Sequence, residues 1–342
     1  MFKLCVIGCG GISRASHGPA YRHYADEHPD FELSACCDVD FERAATLRVQ
    51  VGFARAYADF EQMLETERPN AVCLNVPVHL TAGLGRRILA LGYPLLAEKP
   101  PALTVAELEP LIAASQAAAQ RGVIHQVAFN RRFAPLVVAL KDLLRGREII
   151  HIEHTFTRVN RPDPDFTTTA IHGIDTLRFI AGSDYAELHM QYPRLGESGL
   201  PAFILSGHFQ AGPTVHMTFQ PLSGLASERS VIYTRDATFD LRLNHALDAP
   251  GQLLQYEHNQ VVLALNAAEL CGLGPQISGK TLNAADFRSV DYRLSGFYGE
   301  DAAFFEAVRA NRQPEHTFLS ARQSVAVMES LRNRESHFKT VN

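Results

Sequence analysis

The sequence predicts an α/β protein in which a doubly wound parallel sheet precedes an α+β domain with a large, mostly antiparallel open sheet. Over the first 120 residues, short apolar runs alternate with helix-length periodic segments, as in repeated β-α-β units. After about residue 148, strand-like segments recur with one helix among them, near 169–181. We therefore expect domains at 1–122 and 123–342, with the last helices able to pack back on the first domain.

The individual elements follow from hydrophobic periodicity. Strands that are apolar on both faces, and so suited to burial between helices, are predicted at 3–8, 31–37, 70–76 and 94–98, with a weaker one near 54–57 and another at 123–129. Helices are predicted at 12–27, 40–51, 59–67, 79–92, 104–121 and 134–145. Half-exposed strands are predicted at 149–157, 186–193, 202–210, 213–220, 229–234 and 237–243. The tail returns to helix at 299–309 and 320–334.

Composition and charge narrow the class of protein. The 342 residues are 46% hydrophobic and 20% charged, with a net charge of −5 and no run of lysines or arginines. We therefore expect neither a nucleic-acid nor a membrane partner, and no apolar run reaches the roughly 18 residues that a membrane span needs. The six cysteines form no C-x-x-C pair and no secretory signal is recognised, so reduced thiols and a cytoplasmic location are predicted. No metal site is predicted from the histidines.

A glycine-rich loop follows the first strand and opens a helix. Gly8, Gly10, Gly11, Ile12 and Ser13 nearly match G-x-G-x-x-G, with serine at the third glycine position. The first glycine permits a tight turn, the second lets a pyrophosphate approach the backbone, and the helix N-terminus offers free N–H groups. In this strand–turn–helix context, the loop predicts a Rossmann domain that binds a dinucleotide.

An acidic residue ends the second strand. Asp38 is placed to hold the adenosine ribose hydroxyls. Asp38 and Asp40 stand where a 2′-phosphate would lie, and the first arginine after them is Arg43. NAD is therefore predicted in preference to NADP.

Two further loops follow strands of the same sheet. Asn75, Val76, Pro77 and His79 come after the strand at 70–76, and ligands of such sheets bind beyond the carboxyl ends of the strands. A proline turn that starts a helix is the plainer interpretation, and the two are compatible.

The segment 98–101, Glu-Lys-Pro-Pro, ends the strand at 94–98 on the same side. Beside a nicotinamide, Lys99 can donate a proton to a carbonyl oxygen as hydride arrives, or accept the hydroxyl proton in reverse. The prolines would fix its direction, with a cis peptide as one way of doing so. Alone, the segment could equally be a surface turn.

Together these motifs resemble the glucose–fructose oxidoreductase/inositol dehydrogenase/MocA (Gfo/Idh/MocA) family. The likeness continues at 129–133, which is similar to the segment after the family's sixth strand, and returns in the tail at 303–314. The resemblance implies an NAD(P)-binding Rossmann domain and a C-terminal domain whose sheet carries the substrate face and the oligomer interface. It implies an oxidoreductase acting on a sugar or polyol hydroxyl or the corresponding carbonyl, assembled as a homodimer or homotetramer.

In that family, the lysine is paired with an aspartate and a histidine in a D-x-G-x-H helix pattern. His172 matches the histidine, and Asp175 matches an acid three residues later. Thr168 stands at the aspartate position and cannot carry a negative charge at neutral pH. Either His172 takes the proton-transfer role alone, or Asp165 reaches the site, or ordinary alcohol oxidation has been lost.

The predicted reaction is hydride transfer between nicotinamide and a sugar-like substrate, with Lys99 as acid/base and His172 as its partner. Weaker substrate candidates are Asn130, Arg131, Arg158, Asp165, Thr168 and Asp175. Arg131, Arg132, Arg158 and Arg161 could bind a substrate oxygen or be solvated charges. Two alternatives stay open: a lyase or glycosidase that regenerates bound NAD, and a non-catalytic dinucleotide-binding regulator, which Thr168 favours.

Overall fold

The computed structural model describes residues 1–161, 165–195, 200–244, 251–273 and 284–340. They fall into two compact units. The first consists of Met1–Asn130 and Asp291–Val325, and the second of Arg131–Val290 and Ala326–Asn342. The chain therefore leaves the first unit after residue 130, returns to it for a segment near its end, and finishes in the second.

Strands and helices are numbered here along the whole chain. The strands are β1 (Phe2–Ile7), β2 (Phe31–Cys37), β3 (Arg55–Tyr57), β4 (Ala71–Leu74), β5 (Leu95–Glu98), β6 (His125–Ala128), β7 (Ile149–Val159), β8 (Tyr185–Gln191), β9 (Arg194–Leu195), β10 (Leu200–Pro201), β11 (Phe203–Phe209), β12 (Thr214–Ser223), β13 (Ser227–Thr234), β14 (Thr238–Asn244), β15 (Gln252–Glu257), β16 (Gln260–Asn266) and β17 (His337–Lys339). The α-helices are α1 (Gly18–Glu27), α2 (Phe41–Leu47), α3 (Phe60–Glu67), α4 (Val78–Ala90), α5 (Val105–Ala119), α6 (Pro135–Leu143), α7 (Thr167–Ala181), α8 (Ala267–Leu270), α9 (Ala284–Leu294), α10 (Phe297–Arg309) and α11 (Arg322–Arg332). Two π-helical turns span Ser13–His17 and Arg48–Gly52, and a 3₁₀ turn spans Asn130–Phe133.

The first unit contains the predicted parallel sheet. Its six strands are ordered β3-β2-β1-β4-β5-β6, the order of a doubly wound dinucleotide-binding sheet, and every neighbouring pair is parallel. All residues of β4, β5 and β6 are buried, which agrees with strands covered on both faces. The fold class predicted for this part of the chain is confirmed.

The first helix differs from the prediction of a continuous helix over 12–27. A π-helical turn, Ser13–His17, precedes α1. Pro19 lacks the N–H that would continue the regular ladder, and a Cβ on Gly18 would lie 2.6 Å from the Ser13 carbonyl oxygen. This wide turn determines where His17 points.

The second unit contains the predicted large sheet. Nine described strands are ordered β16-β15-β14-β13-β7-β12-β11-β8-β17, and every neighbouring pair is antiparallel except β7 with β12. The sequence did not predict β15 and β16, which are joined by a two-residue turn in which His258 and Asn259 both have positive φ. That turn lacks the glycine that usually marks such hairpins.

Helix α7 packs closely on this sheet. A Cβ on Gly173 would lie 2.6 Å from His154 Nε2 and 2.8 Å from the Phe219 ring, so glycine permits the close approach. The neighbouring His172 is buried, with 8% of its surface exposed. None of the helices in the described parts of the chain has the length and apolar character needed to cross a membrane.

Candidate cofactor-binding and active site

In the glycine loop, the packing requires a glycine at position 8 but leaves room for a side chain at positions 10 and 11. Gly8 has φ +95°, and a Cβ there would lie 2.2 Å from the Asn75 carbonyl oxygen. A Cβ on Gly10 or Gly11 would meet nothing within 4 Å. The backbone at these two glycines therefore borders open space, which fits the close approach of a dinucleotide pyrophosphate.

Ser13 does more than fill the third glycine position. It is fully buried, and its hydroxyl donates to the Gly8 carbonyl oxygen at 2.6 Å. The Ser13 hydroxyl oxygen in turn accepts from Asn75 Nδ2 at 3.1 Å, while Ile12 is exposed. The serine therefore joins the loop to the end of β4, a role that small size alone did not reveal.

Asp38 is held beside the loop. Its Oδ2 accepts from the Cys9 N–H at 2.8 Å and its Oδ1 from the Asp40 N–H at 3.0 Å. The side chain of Asp40 accepts from the backbone N–H of Glu42 at the start of α2 and pairs with Arg43 at 3.1 Å. Arg43 is thus engaged by a carboxylate, so this edge of the loop remains acidic and is poorly suited to a 2′-phosphate.

The loop after β4 brings one buried amide to the same place. Asn75 is 5% exposed, and its Nδ2 donates to Ser13 and to the Tyr21 hydroxyl. Its Oδ1 is buried with no hydrogen-bond partner among the described residues. Pro77 and His79 are exposed at the start of α4, and Val76 is half-buried. An orphaned buried acceptor beside an open glycine loop is compatible with a ligand that donates a hydrogen bond.

Lys99 lies at the carboxyl end of β5, and its backbone is fixed by the residue before it. Glu98 Oε2 accepts from the Lys99 N–H at 2.8 Å, and the Lys99–Pro100 peptide is cis. Lys99 is half-buried, whereas Glu98 and Pro100 are buried. The lysine is therefore held at the sheet edge where the glycine loop also lies.

Sequence reasoning missed two residues behind this lysine. His17 is fully buried, with Nε2 3.0 Å from Glu98 Oε1 and Nδ1 3.0 Å from an oxygen of Asp301. Asp301 lies on α10 and is also fully buried. His17 and Asp301 are 284 residues apart, so no local pattern could connect them.

In the second unit, the start of α7 is organised by Asp165. Its Oδ1 accepts from the Thr167 N–H at 3.1 Å, and its carboxylate pairs with Arg332 at 3.3 Å. The Thr168 hydroxyl donates to the Asp165 carbonyl oxygen at 3.0 Å. Asp165 thus accepts from a free N–H at the helix start, and Thr168 is hydrogen-bonded to the backbone of Asp165.

Most of the weaker substrate candidates of the second unit lie in buried ion pairs. Arg132 contacts Asp175 through two nitrogens, at 2.8 and 2.6 Å. Arg131 and Arg158 both donate to Glu228, which is 2% exposed. The alternative that Arg131, Arg132 and Arg158 are solvated charges is therefore wrong. Asn130, assigned to the first unit, is 1% exposed and donates to the Ser295 carbonyl oxygen at 2.8 Å.

Three possible metal ligands meet at one edge of the second sheet. One ligand atom each of Glu187, His189 and His337 lies within 4.8 Å of the others. Two imidazoles and a carboxylate are donors that Zn²⁺ accepts. His337 Nε2 lies 2.5 Å from Glu187 Oε1, so an ion pair accounts for the contact without a cation. The sequence did not indicate this cluster, because it forms only when β17 pairs with β8.

Comparison with known proteins agrees with this geometry. Residues 2–129 match the model of the Gfo/Idh/MocA oxidoreductase family, described by its NAD-binding Rossmann fold. An inositol 2-dehydrogenase of Ralstonia nicotianae is 30% identical over 203 residues, 56% of this chain and 58% of that protein. A D-apiose dehydrogenase of Paraburkholderia graminis is 31% identical over 148 residues, 43% of this chain and 37% of that protein. The chain thus matches a little over half, or less, of the length of these curated relatives.

Solved structures share the whole fold. An oxidoreductase domain protein from Kribbella flavida superimposes with a TM-score of 0.83 over 100% of both chains at 19% identity. A levoglucosan dehydrogenase in complex with NADH and levoglucosan gives 0.78 over 100% of both chains at 17% identity. At these identities the likeness establishes the fold alone.

The sheet order and the matched family model identify residues 2–129 as a Rossmann fold of the NAD-binding oxidoreductase type. Over residues 2–129 the chain is similar to the Gfo/Idh/MocA oxidoreductase family. The family predicted from the sequence motifs is thereby confirmed.

Proposed function

We propose that the protein is an NAD-dependent dehydrogenase that transfers hydride between nicotinamide and a sugar, a polyol or a sugar-derived carbonyl compound. The observation that carries the proposal is the position of Lys99, half-buried at the end of β5 on the same sheet edge as the glycine loop. The names of the relatives, an inositol dehydrogenase and a D-apiose dehydrogenase, support the substrate class.

The proposed cofactor site lies entirely in the first unit. Its residues share a place in the loops beyond the carboxyl ends of the parallel strands: Gly8, Gly10, Gly11, Ile12, Ser13, Asp38, Asn75, Val76, Pro77, His79, Glu98 and Lys99. Asp38 would hold the ribose hydroxyls, and its charge favours NAD over NADP. When bound, NAD supplies the hydride acceptor.

Lys99 is the proposed acid/base. As a neutral amine it accepts the proton of the substrate hydroxyl, and as an ammonium it returns the proton to a carbonyl oxygen in the reverse direction. His172 is the second proposed proton-transfer residue, because it matches the histidine of the family's D-x-G-x-H helix pattern. Thr168, whose hydroxyl is hydrogen-bonded to the Asp165 carbonyl oxygen, supplies no carboxylate at the family's aspartate position. Lys99 is therefore the residue proposed to exchange the proton with the reacting oxygen.

The second candidate function is a regulatory protein that binds NAD without turnover, and Thr168 is the observation that favours it. A lyase or glycosidase that regenerates NAD is the third interpretation, and analysis of the reaction products distinguishes it from a dehydrogenase. Neither alternative accounts as directly for a lysine held by Glu98 at the cofactor edge.

We also propose a cytoplasmic homodimer or homotetramer. The six cysteines are free thiols, as expected in a reducing compartment. One face of the nine-stranded sheet is open for association: in β7, Glu153 and Thr155 are exposed while Ile152, His154 and Phe156 are buried. Light scattering coupled to size exclusion measures the subunit number.

The test of the function is a cofactor-by-substrate matrix. NAD(H) and NADP(H) are each combined with polyols, aldoses and sugar acids, and both NADH absorbance and sugar products are followed. We expect NAD-linked oxidation of at least one polyol or sugar. Product formation without net NADH would support the redox-cycling lyase, and NADH binding without any turnover would support the regulator.

A further inference from the structure

One histidine in the first unit has both ring nitrogens directed at carboxylates. His17 Nδ1 lies 3.0 and 3.1 Å from the two oxygens of Asp301, and Nε2 lies 3.0 Å from Glu98 Oε1. His17 and Asp301 are fully buried and Glu98 is 7% exposed. A neutral imidazole has one N–H and would leave one nitrogen facing an acceptor without a proton, so the imidazolium is the state that fits.

The surroundings of His17 favour the same state. Burial alone would lower the pKa of His17, but attraction and hydrogen bonds from Asp301 and Glu98 outweigh it and hold the pKa well above 6.5. Burial raises the pKa of Asp301, and His17 opposes that rise. Tyr21 stacks on the imidazole at 5.6 Å and Phe297 meets it edge-on at 5.0 Å. Water is therefore kept from the ring on both sides.

The network ends at the proposed catalytic residue. Glu98 accepts from His17 with Oε1 and from the Lys99 N–H with Oε2. His17 itself closes the π-helical turn that follows the glycine loop. Asp301 on α10, the turn after β1 and the end of β5 are thus joined by three side chains.

We propose that His17 is a positioning residue: as a buried imidazolium between Asp301 and Glu98, it fixes the Glu98 carboxylate and, through it, the backbone and the proton affinity of Lys99. This inference rests on the proposed role of Lys99. Glu98 would otherwise be a nearly buried, uncompensated carboxylate hydrogen-bonded to the Lys99 backbone N–H. With His17 charged, part of the negative charge of Glu98 is offset, and the Lys99 amine faces a weaker negative field.

The first test measures the charge state directly. In protein labelled with ¹⁵N-histidine, both nitrogens of His17 are expected to carry slowly exchanging protons from pH 6 to pH 8, the range in which an ordinary histidine loses its proton. The ionisable groups that face the ring are Glu98, Asp301, Tyr21 and the neighbouring Glu300 on α10. A single N–H, or a titration between pH 6 and pH 8, overturns the proposal.

The second test measures the pKa of the Lys99 side-chain amine and does not require turnover. The chain has five lysines, so ¹⁵N-lysine spectra resolve the Lys99 amine, and its pKa is measured in wild type, His17→Gln and His23→Gln. His23, on α1, is the control because it pairs with Glu27, away from Glu98. We expect a higher Lys99 pKa in His17→Gln and no change in His23→Gln. An unchanged or lower Lys99 pKa in a folded His17→Gln protein contradicts the proposal.

The third test uses the pH profile. Asp301→Asn removes the charge that keeps His17 protonated, so burial lowers the pKa of His17 into the accessible range. We expect kcat to fall as pH rises through that lowered pKa, while the affinity for NADH stays within about threefold. Wild-type kcat should lack this limb. If wild type has no turnover, the proposed function fails and the two spectroscopic tests still decide the role of His17. If wild type is active and the pH profile of kcat in Asp301→Asn is identical to that of wild type, the positioning role proposed for His17 is overturned.

Discussion

The two compact units bury charge in different ways. In the first, the imidazolium of His17 lies between the carboxylates of Asp301 and Glu98. This network ends at Lys99, on the sheet edge where the glycine loop lies. In the second, arginines are paired with carboxylates, Arg132 with Asp175 and both Arg131 and Arg158 with Glu228. The charge of His17 depends on its two carboxylate neighbours, whereas the arginines stay protonated whatever their partners.

The difference assigns separate tasks to the units. The open backbone at Gly10 and Gly11, the orphaned Asn75 Oδ1 and the half-buried Lys99 all lie in the first unit. The corresponding residues of the second unit that we expected to meet substrate mostly bind one another or cap a helix. We therefore expect variants of the second unit to change stability first and variants of the first unit to change cofactor binding and turnover first.

The largest effect on stability is expected at the Arg132–Asp175 pair. Asp175→Ala removes one partner of a buried ion pair whose side chains are 7% and 1% exposed, and leaving a buried guanidinium uncompensated costs about 3–5 kcal/mol. Urea denaturation measures the loss. Arg145→Ala removes half of an exposed i,i−3 pair and should cost less than about 1 kcal/mol. Equal losses in the two variants would contradict a structural role for the buried pair.

The next effect separates two glycines of the same loop. Gly8→Ala places a Cβ 2.2 Å from the Asn75 carbonyl oxygen at φ +95°. We therefore expect the free energy of unfolding to fall by about 2–4 kcal/mol and NADH binding to be lost as well. Gly10→Ala meets no protein atom and should leave the melting temperature nearly unchanged.

Gly10→Ala should nonetheless weaken NADH binding by roughly tenfold, because its methyl group occupies the surface that a pyrophosphate approaches. Fluorescence titration with NADH measures both variants. Wild-type affinity in Gly10→Ala would show that the cofactor does not lie against this loop.

Two buried histidines should respond to pH in opposite directions. Burial lowers the pKa of His154 in the second unit to about 4. The unfolded chain then binds the proton more readily, so this residue's contribution to stability is present above pH 6.5 and is lost as pH falls toward 4. The loss amounts to about 3 kcal/mol at full protonation.

For His17 the sign reverses, because its folded pKa is raised. Its stabilisation is fully present below pH 6.5 and is lost only as pH rises through the folded value. Denaturation of His154→Gln and wild type from pH 4.5 to 7.5 should therefore show a shallower acid slope in the variant. Parallel slopes would contradict a neutral buried His154.

The smallest effect concerns cofactor choice. Asp38→Ser removes the carboxylate that we expect to bind ribose hydroxyls and repel a 2′-phosphate. NADH affinity should fall by roughly tenfold, or about 1.4 kcal/mol, and NADPH affinity should rise. Asp40→Ser is the neighbouring control and should change the NADH/NADPH ratio less. A preference for NADPH in wild type would contradict the role given to Asp38.

Sequence patterns predicted the parts of the first unit that depend on short segments. Gly8 and Asp38 were identified because a strand, a tight turn and a helix are consecutive in the chain, and their geometry follows from that order. The helix predicted at 104–121 is likewise determined locally: at its start Thr104 accepts from the Glu107 N–H at 3.1 Å, three residues along the chain. The strands of the parallel sheet were found because both of their faces are apolar.

The remaining features depend on partners that are distant in sequence. Arg131 and Glu228 are 97 residues apart, and His17 and Asp301 are 284 apart, so no spacing rule separates a paired charge from a solvated one. The β15–β16 hairpin was missed because His258 and Asn259 adopt positive φ without a glycine. The π-helical turn at Ser13–His17 depends on Gly18 packing against Ser13 and Val51, which periodicity does not show.

The central claim is that Lys99 exchanges a proton with the substrate while NAD is bound by the loops of the first unit. Steady-state kinetics of Lys99→Ala, with Lys339→Ala as a control on the exposed strand β17, test it most directly. We expect kcat to fall roughly 10²–10⁴-fold in Lys99→Ala, with NADH affinity within about threefold of wild type and the control unaffected. Undiminished kcat in Lys99→Ala would contradict the claim.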